Sequence, residues 1–292
     1  MPVAVFAPAK VNLYLHVTGR RADGYHLVDS LVAFADIGDR LTAEPAASLS
    51  LGVSGPEAAA LAAVGDDNLV LRAARLLADH AGIAAGARLH LEKHLPVSAG
   101  IGGGSSDAAA AFLALRRLWN LPFDDIELCQ LGARLGADVP ACVYRRAVWV
   151  GGIGERVEPA QPLPQAGILF ANPRLALPTG AVFAVRRGAP GVAARFAPMP
   201  RDVARLAELL GERNNDLADA AIGLVPEIGA VLARLSGLPG SLLVRMSGSG
   251  ATCFALFADR AAAEEARLKL TAAEPSWWCV AAGFIADAAH CR

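Results

Sequence analysis

The sequence predicts an α+β protein in two domains. Strand-like segments alternate with helical ones without a regular βαβ cadence, and an antiparallel hairpin reads from Leu242 to Phe257, turning at Ser247 to Gly250. Pro159, Pro162 and Pro164 form a stiff connector that no helix crosses, so the boundary is expected near residue 160, separating 1–160 from 161–292. With 292 residues, 54% of them hydrophobic, the chain is long enough to core two such units.

From the N-terminus, Val3 to Val17 predicts a strand with Val11, Leu13, Leu15 and Val17 on one face. Lys10, Asn12, Tyr14 and His16 fall on the other, which is expected to be wet or functional. Arg20 to His26 is turn-forming, Leu27 to Phe34 resumes as strand, and Leu41 to Val53 adds strand around Pro45. Asp66 or Asp67 is expected to cap a helix running to Ala81 and stopped by Gly82. A strand over Arg88 to Leu95 leads into a glycine loop, followed by helices over Ser106 to Trp119 and Phe123 to Leu135. Asp124 and Asp125 serve the second of these as cap and first-turn acid, and Gly136 ends it. A strand over Ala141 to Val150 and a glycine turn at Gly151 to Gly154 complete the first half. The second half reads strand Ile168 to Ala171, a turn at Pro178 and Thr179, helices Val203 to Leu210 and Asp219 to Leu235, the hairpin, helix Ala261 to Ala273 and strand Trp277 to Ile285.

The stretch Pro96, Val97, Ser98, Ala99, Gly100, Ile101, Gly102, Gly103, Gly104, Ser105, Ser106, Asp107 organises the rest. Glycines can take positive φ and let a ligand approach the backbone, while the helix start that follows offers unpaired N–H groups and a partial positive charge. That combination is an anion cradle. A plain tight connection with Ser105 or Ser106 as N-cap is the competing reading. Three other motifs are excluded by the letters. No Gly-Lys pair exists for a P-loop, Ser105 stands where a dinucleotide fingerprint needs its third glycine, and Asp107 stands where a nucleophile elbow needs glycine.

Net charge is −1, which argues against nucleic acid or a membrane surface as partner. Cys129, Cys142, Cys253, Cys279 and Cys291 are odd in number and never form C-x-x-C, as expected of reduced thiols in a cytoplasmic protein. His90 and His94, in an alternating strand, would sit about 13 Å apart at ~3.3 Å per residue, too far to share a metal. Neither a signal peptide nor an apolar run long enough to span a membrane is read.

Phosphoryl transfer needs a cradle for the donor, a cation against developing charge, and a group that deprotonates the acceptor hydroxyl. Asp138, in the turn Gly136-Ala137-Asp138-Val139-Pro140, is the candidate base; a local Asx-turn or N-cap is its structural alternative. Lys10 is the candidate cation, since a lysine in an apolar strand must be paired, snorkelling or functional; a solvated strand face is the other option. Tyr25 and His26 would suit a flat heteroaromatic ring, and Ser247 to Gly250 alone reads as a mostly structural turn.

Three stretches together resemble the GHMP kinases: Pro8 to Leu13, Pro96 to Ala109, and Met246 to Ala251. Arg21-Ala22-Asp23-Gly24-Tyr25-His26 and Gly136 to Pro140 resemble, within that family, kinases acting on a cytidine-diphosphate-linked polyol of isoprenoid precursor biosynthesis. The resemblance implies a ribosomal-protein-S5-like N-terminal domain and a ferredoxin-like C-terminal domain. It further implies ATP and Mg2+ as cofactors, Lys10 and Asp138 in catalytic positions, and Pro96 to Ser106 around the ATP phosphates, with Ser106 matching a metal contact. Tyr25, His26 and Phe183 match cytosine-binding positions, and Asn12 and Thr179 match polar substrate contacts. A monomer or weak homodimer is the implied state. A kinase for mevalonate, homoserine or a sugar is the nearest alternative, and a catalytically silent nucleotide sensor on the same fold a more distant one. Arg186 to Pro200 matches no motif.

Overall fold

The computed structural model describes residues 1–62, 68–84 and 86–286. It opens with β1 (Val3–Arg20), paired antiparallel along its length with β2 (His26–Ala46) through the short turn at 21–25. β2 is one strand where two were expected, because residues 38–40 pair with Pro8, Ala7 and Phe6 beyond a register shift between Pro8 and Ala9. After it come β3 (Ser50–Ser54), α1 (Ala58–Ala62), α2 (Leu69–Ala81), β4 (Gly86–Glu92) and α3 (Gly103–Leu118). Asn68 caps α2 by accepting the Val70 N–H, and Asp66 and Asp67 lie outside the described residues. Gly82 ends it with φ of 65°. β4 stops short of the predicted Leu95, and α3 begins inside the glycine loop, three residues before the predicted start.

Next are α4 (Asp125–Ala133), capped by Asp124 in a reciprocal box with Glu127, and α5 (Val139–Tyr144). The C-cap of α4 is Arg134, ahead of the predicted stop at Gly136. α5 replaces the first part of the strand predicted over Ala141 to Val150: Pro140 in the first turn presets a helical φ, and the apolar run is buried on all sides rather than alternately. β5 (Val148–Gly151) and β6 (Arg156–Pro159) follow. The second half holds β7 (Gly167–Asn172), α6 (Thr179–Val185), α7 (Val203–Gly211), α8 (Ala218–Leu224) and α9 (Glu227–Ser236). The single helix predicted from Asp219 breaks at Val225-Pro226, and Pro178, read as a turn, starts α6. β8 (Leu243–Met246), β9 (Cys253–Phe257), α10 (Arg260–Ala273) and β10 (Trp278–Gly283) close the described fold.

Two sheets result. The first has the order β3-β4-β2-β5-β6 with β1 also on β2, and the second β10-β7-β9-β8. Helices α2 to α5 cover the first sheet over a core containing Phe34, Leu77, Leu89 and Phe112. Val11, Leu13 and Tyr14 of β1 pack with Ile168, Phe170 and Phe254 of the second sheet, and Leu15 and Val17 pack toward α8 and α9. β1 is therefore buried on both faces. Lys10, Asn12, Tyr14 and His16, expected on a wet or functional face, are all interior.

Candidate active site

Burying a lysine demands partners, and Lys10 has them. Its Nζ donates to Asp138 Oδ2 and to Asn12 Oδ1, each at 2.9 Å, with the lysine side chain only 3% exposed. Its backbone N–H donates to the Ile101 carbonyl of the glycine loop at 2.9 Å. The Asn12 amide is oriented in turn by Ser30, whose Oγ accepts from Nδ2 at 2.9 Å and donates to the Tyr14 carbonyl at 2.5 Å. Asp138 occupies the N-cap position of α5 but makes no capping bond; its carboxylate, 48% exposed, turns to Lys10 and lines a cleft of about 540 Å3.

The glycine loop forms the adjoining wall, against Lys10. Ser98, Gly100 and Gly102 have positive φ, and Gly102 is the N-cap of α3 without any side-chain cap, so neither Ser105 nor Ser106 takes that role. The first-turn N–H groups of α3 thus have no side-chain acceptor from the cap. Val97 to Gly100 and Gly102 to Ser105 line the cleft, whereas Pro96, Ile101 and Ser106 are buried beneath it. The Ser106 hydroxyl donates to the Pro8 carbonyl at 2.7 Å, which ties α3 to β1 and removes it from the cleft wall. No cluster of three His, Cys, Asp or Glu able to hold a metal occurs among the described residues.

The turn between β8 and β9, read as mostly structural, is built into the same wall. Ser247 Oγ accepts the Asn12 N–H at 3.2 Å and donates to the Gly100 carbonyl at 3.1 Å, and the Thr252 N–H donates to the Ala99 carbonyl. Asn215 Nδ2 fixes the turn by donating to the carbonyls of Met246 and Gly248, both at 2.8 Å. All three family-like stretches therefore touch one another. Thr179 Oγ1 lies 2.8 Å from Ser249 Oγ at the lip of the cleft.

Farther along, His26 stacks on Phe183 with centroids 5.1 Å apart and planes at 29°. Burial, with Arg20 and Arg186 nearby, lowers the His26 pKa. Tyr25 projects from the turn, 62% exposed, its N–H held by Asp23. The structure joins His26 and Phe183 to each other, and of the aromatic pair flanking the expected base only Phe183 lines the cleft.

Sequence reading missed Lys93, Asp39 and Asp107, which form a buried cluster next to the loop with Lys93 and Asp107 bordering the cleft, and Ser30 and Asn215. The available signal was Lys93 itself, a lysine at the end of an apolar alternation. Cys142, behind the loop, is inert: burial pushes its thiol up to about 12.

Residues 68–146 match the model for the N-terminal domain of GHMP kinases, and residues 193–275 that for their C-terminal domain. The chain is 52% identical over 284 residues to a 4-diphosphocytidyl-2-C-methyl-D-erythritol kinase of Rhodospirillum rubrum, covering 97% of this chain and 93% of the relative. It is 53% identical over 289 residues to the protein of that name from Cereibacter sphaeroides strain ATCC 17029, covering 96% and 98%. A crystal structure of a 4-(cytidine 5'-diphospho)-2C-methyl-D-erythritol kinase superposes with a TM-score of 0.76 at 37% identity, covering 96% of this chain and 98% of that one.

Proposed function

This chain belongs to the GHMP kinase family, and from that premise we propose that it transfers the γ-phosphoryl group of ATP to a hydroxyl of 4-diphosphocytidyl-2-C-methyl-D-erythritol, giving the 2-phosphate. The observation that carries the reading is the contact of Lys10 with Asp138 within a cleft walled in part by the glycine loop. Asp138 accepts the proton of the attacking hydroxyl. Lys10, held by Asn12, faces the charge that develops on the incoming oxygen and the transferred group. Backbone N–H groups from Val97 to Ser105 and the start of α3 hold the phosphates of ATP in line. Mg2+ bound with the nucleotide would supply neutralisation of the phosphate charge; the carboxylate of Asp138, which lines the cleft, could face it, and the described residues contain no dedicated cage of three His, Cys, Asp or Glu.

Recognition of the acceptor runs from Asn12 and Thr179, which line the cleft, to Phe183 and the neighbouring His26 and Tyr25. Tyr25 and Phe183 take the two faces of the cytosine, His26 reads its edge, and Asn12 and Thr179 touch the polyol. An exposed tyrosine with no core to enter, beside a stacked His26 and Phe183, supports this assignment. A mevalonate, homoserine or sugar kinase would have no use for it, and a silent sensor would have no use for the Lys10 and Asp138 pair. The two domains are assigned as 1–160 and 161–292, supported by β6 ending at Pro159 and β7 opening the second sheet at Gly167. No helix among the described residues is long and apolar enough to cross a membrane.

An ADP-release assay with a panel of acceptors tests the reading. ADP should form with the cytidine-diphosphate-linked polyol and not with mevalonate, homoserine or galactose. ADP formation with one of those three alone would replace the substrate, and none with any acceptor would leave the sensor.

A further inference from the structure

We infer that Lys93, Asp39 and Asp107 form an internal fastening that holds both stems of the glycine loop in the phosphate-binding shape, making Lys93 a positioning residue for ATP. The inference rests on the proposed kinase reading. Lys93 Nζ donates to Asp39 Oδ2 at 2.5 Å and to Asp107 Oδ2 at 2.7 Å, and all three side chains are buried. The other oxygen of Asp39 accepts the backbone N–H groups of His94 and Leu95, at 2.6 and 2.9 Å. Those two residues are the entry to the loop, and Asp107, in the second turn of α3, is its exit. One ammonium thus joins the two stems through a strand, β2, that belongs to the body of the sheet.

Stability alone gives no reason for the cluster. Buried ions are costly to desolvate, and replacing such a set with well-packed apolar side chains is often neutral or stabilising. What ions hydrogen-bonded in fixed directions supply is geometry. A segment with four glycines needs geometry from outside, because glycine loses more conformational freedom on ordering than any other residue. If the loop were loose, ordering it would draw on the binding energy of the nucleotide.

Lys93 acts through the loop and not on the phosphates. Lys93 and Asp107 border the cleft, but the lysine side chain is only 2% exposed and its Nζ donates to both Asp39 and Asp107. Gly103 makes room for it: a Cβ there would stand 3.1 Å from Nζ. Asp107 Oδ1 is buried and has no hydrogen-bond partner among the described residues, so the fastening to α3 runs through Oδ2 alone.

The test compares wild type with Lys93→Met, using calorimetry with a non-hydrolysable ATP analogue, the KM of the cytidine-linked acceptor at saturating ATP, and hydrogen exchange of the peptide spanning the loop. Melting is followed alongside. Lys93→Met is expected to bind the analogue at least fivefold more weakly and to exchange faster in the loop peptide, with acceptor KM within twofold. Should that variant fail to fold, Lys93→Met with Asp107→Leu takes its place, since it leaves no unpartnered aspartic side chain at α3 while Asp39 keeps its two backbone donors. Analogue affinity within fivefold of wild type, unchanged loop exchange, or an equal loss for both ligands overturns the inference. A wild type that binds the analogue yet phosphorylates no cytidine-linked acceptor refutes the kinase reading instead, and leaves the calorimetric comparison intact.

Discussion

Gly100 is where the two glycine turns meet, and Gly100→Ala measures how much that meeting is worth. Its φ of 74° is left-handed, and a Cβ added there would stand 2.8 Å from the Ser247 carbonyl oxygen and closer still to that of Gly250. Holding alanine in the left-handed region costs roughly 1–2 kcal/mol. The clash is with backbone, which cannot rotate away, so the turns must separate. Separation breaks the bond from Ser247 Oγ to the Gly100 carbonyl and strains the one from the Asn12 N–H to Ser247, each worth about 0.5–1.5 kcal/mol. Together the expected penalty is about 2–5 kcal/mol, or roughly 30- to 4000-fold at 1.4 kcal/mol per decade. It should fall on kcat/KM for ATP at saturating acceptor, with a lower melting temperature because the turns join the two halves of the fold. Gly100→Ala with wild-type melting and wild-type kcat/KM would refute the reasoning, since the strain and the clash would then be absent.

Gly104→Ala separates ligand-facing glycine from structural glycine. It sits in the first turn of α3 with only Leu69 Cδ1 at 3.4 Å, so melting should hold or rise while KM for ATP increases; unchanged KM would remove this position from the cradle. Asp138→Asn should preserve ATP binding and fold while lowering kcat by ~10²-fold or more, and near-normal turnover would end its assignment as base. Tyr25→Ala should raise the acceptor KM roughly 5- to 150-fold, as expected for about 1–3 kcal/mol of stacking, and leave KM for ATP alone; equal rises would mark a folding defect. Burial and the nearby Asp39, against the pull of Lys93, push Asp107 up to about 8, from about 3.9 in the unfolded chain. The folded protein therefore binds the extra proton, and this contribution to stability is complete below about pH 4 and lost as pH rises through about 8. Urea midpoints of the wild type should decline between pH 5 and 8 more steeply than those of Asp107→Asn, and parallel slopes would contradict the shift.

Local signals were legible wherever one interaction dominates within a few residues. The cap at Asp124, the stop at Gly82, and the turn between β8 and β9 are of this kind. Contacts made across the fold were not. α5 has a strand-like composition, yet Pro140 and burial on every side make it a helix. The continuity of β2 through residues 38–40 depends on β1 as partner, which no local pattern encodes. At the site, Lys10 and Asp138 stood out because each breaks the chemistry of its surroundings. Ser30 and Asn215 did not, because a serine in a strand and an asparagine before a helix are ordinary until their partners, Asn12 and the Met246 and Gly248 carbonyls, are in place.

The polar stripe of β1 shows how far such a reading reaches. Alternation puts Lys10, Asn12, Tyr14 and His16 on one side, and a polar side of a strand normally faces water. Here each member is buried with its own partner: Lys10 with Asp138, Asn12 with Ser30, Tyr14 with Asp29 at 2.6 Å, and His16 with the Val192 carbonyl at 3.0 Å. Part of the cover comes from the segment Arg186 to Pro200, which matched no motif. Its Gly191 N–H donates to the Val17 carbonyl, its Ala194 N–H donates to Asp29 Oδ2, and Arg195 reaches Asp29 Oδ1 at 3.4 Å. The Tyr14 hydroxyl, its pKa raised by burial and by Asp29, stays a donor. A segment with no period of its own could not reveal that role, because its structure is set by the polar groups it covers. The stripe is polar because its neighbours are, and the end at Lys10 and Asn12, where the cover gives way to the cleft, is where such groups are left able to meet a substrate.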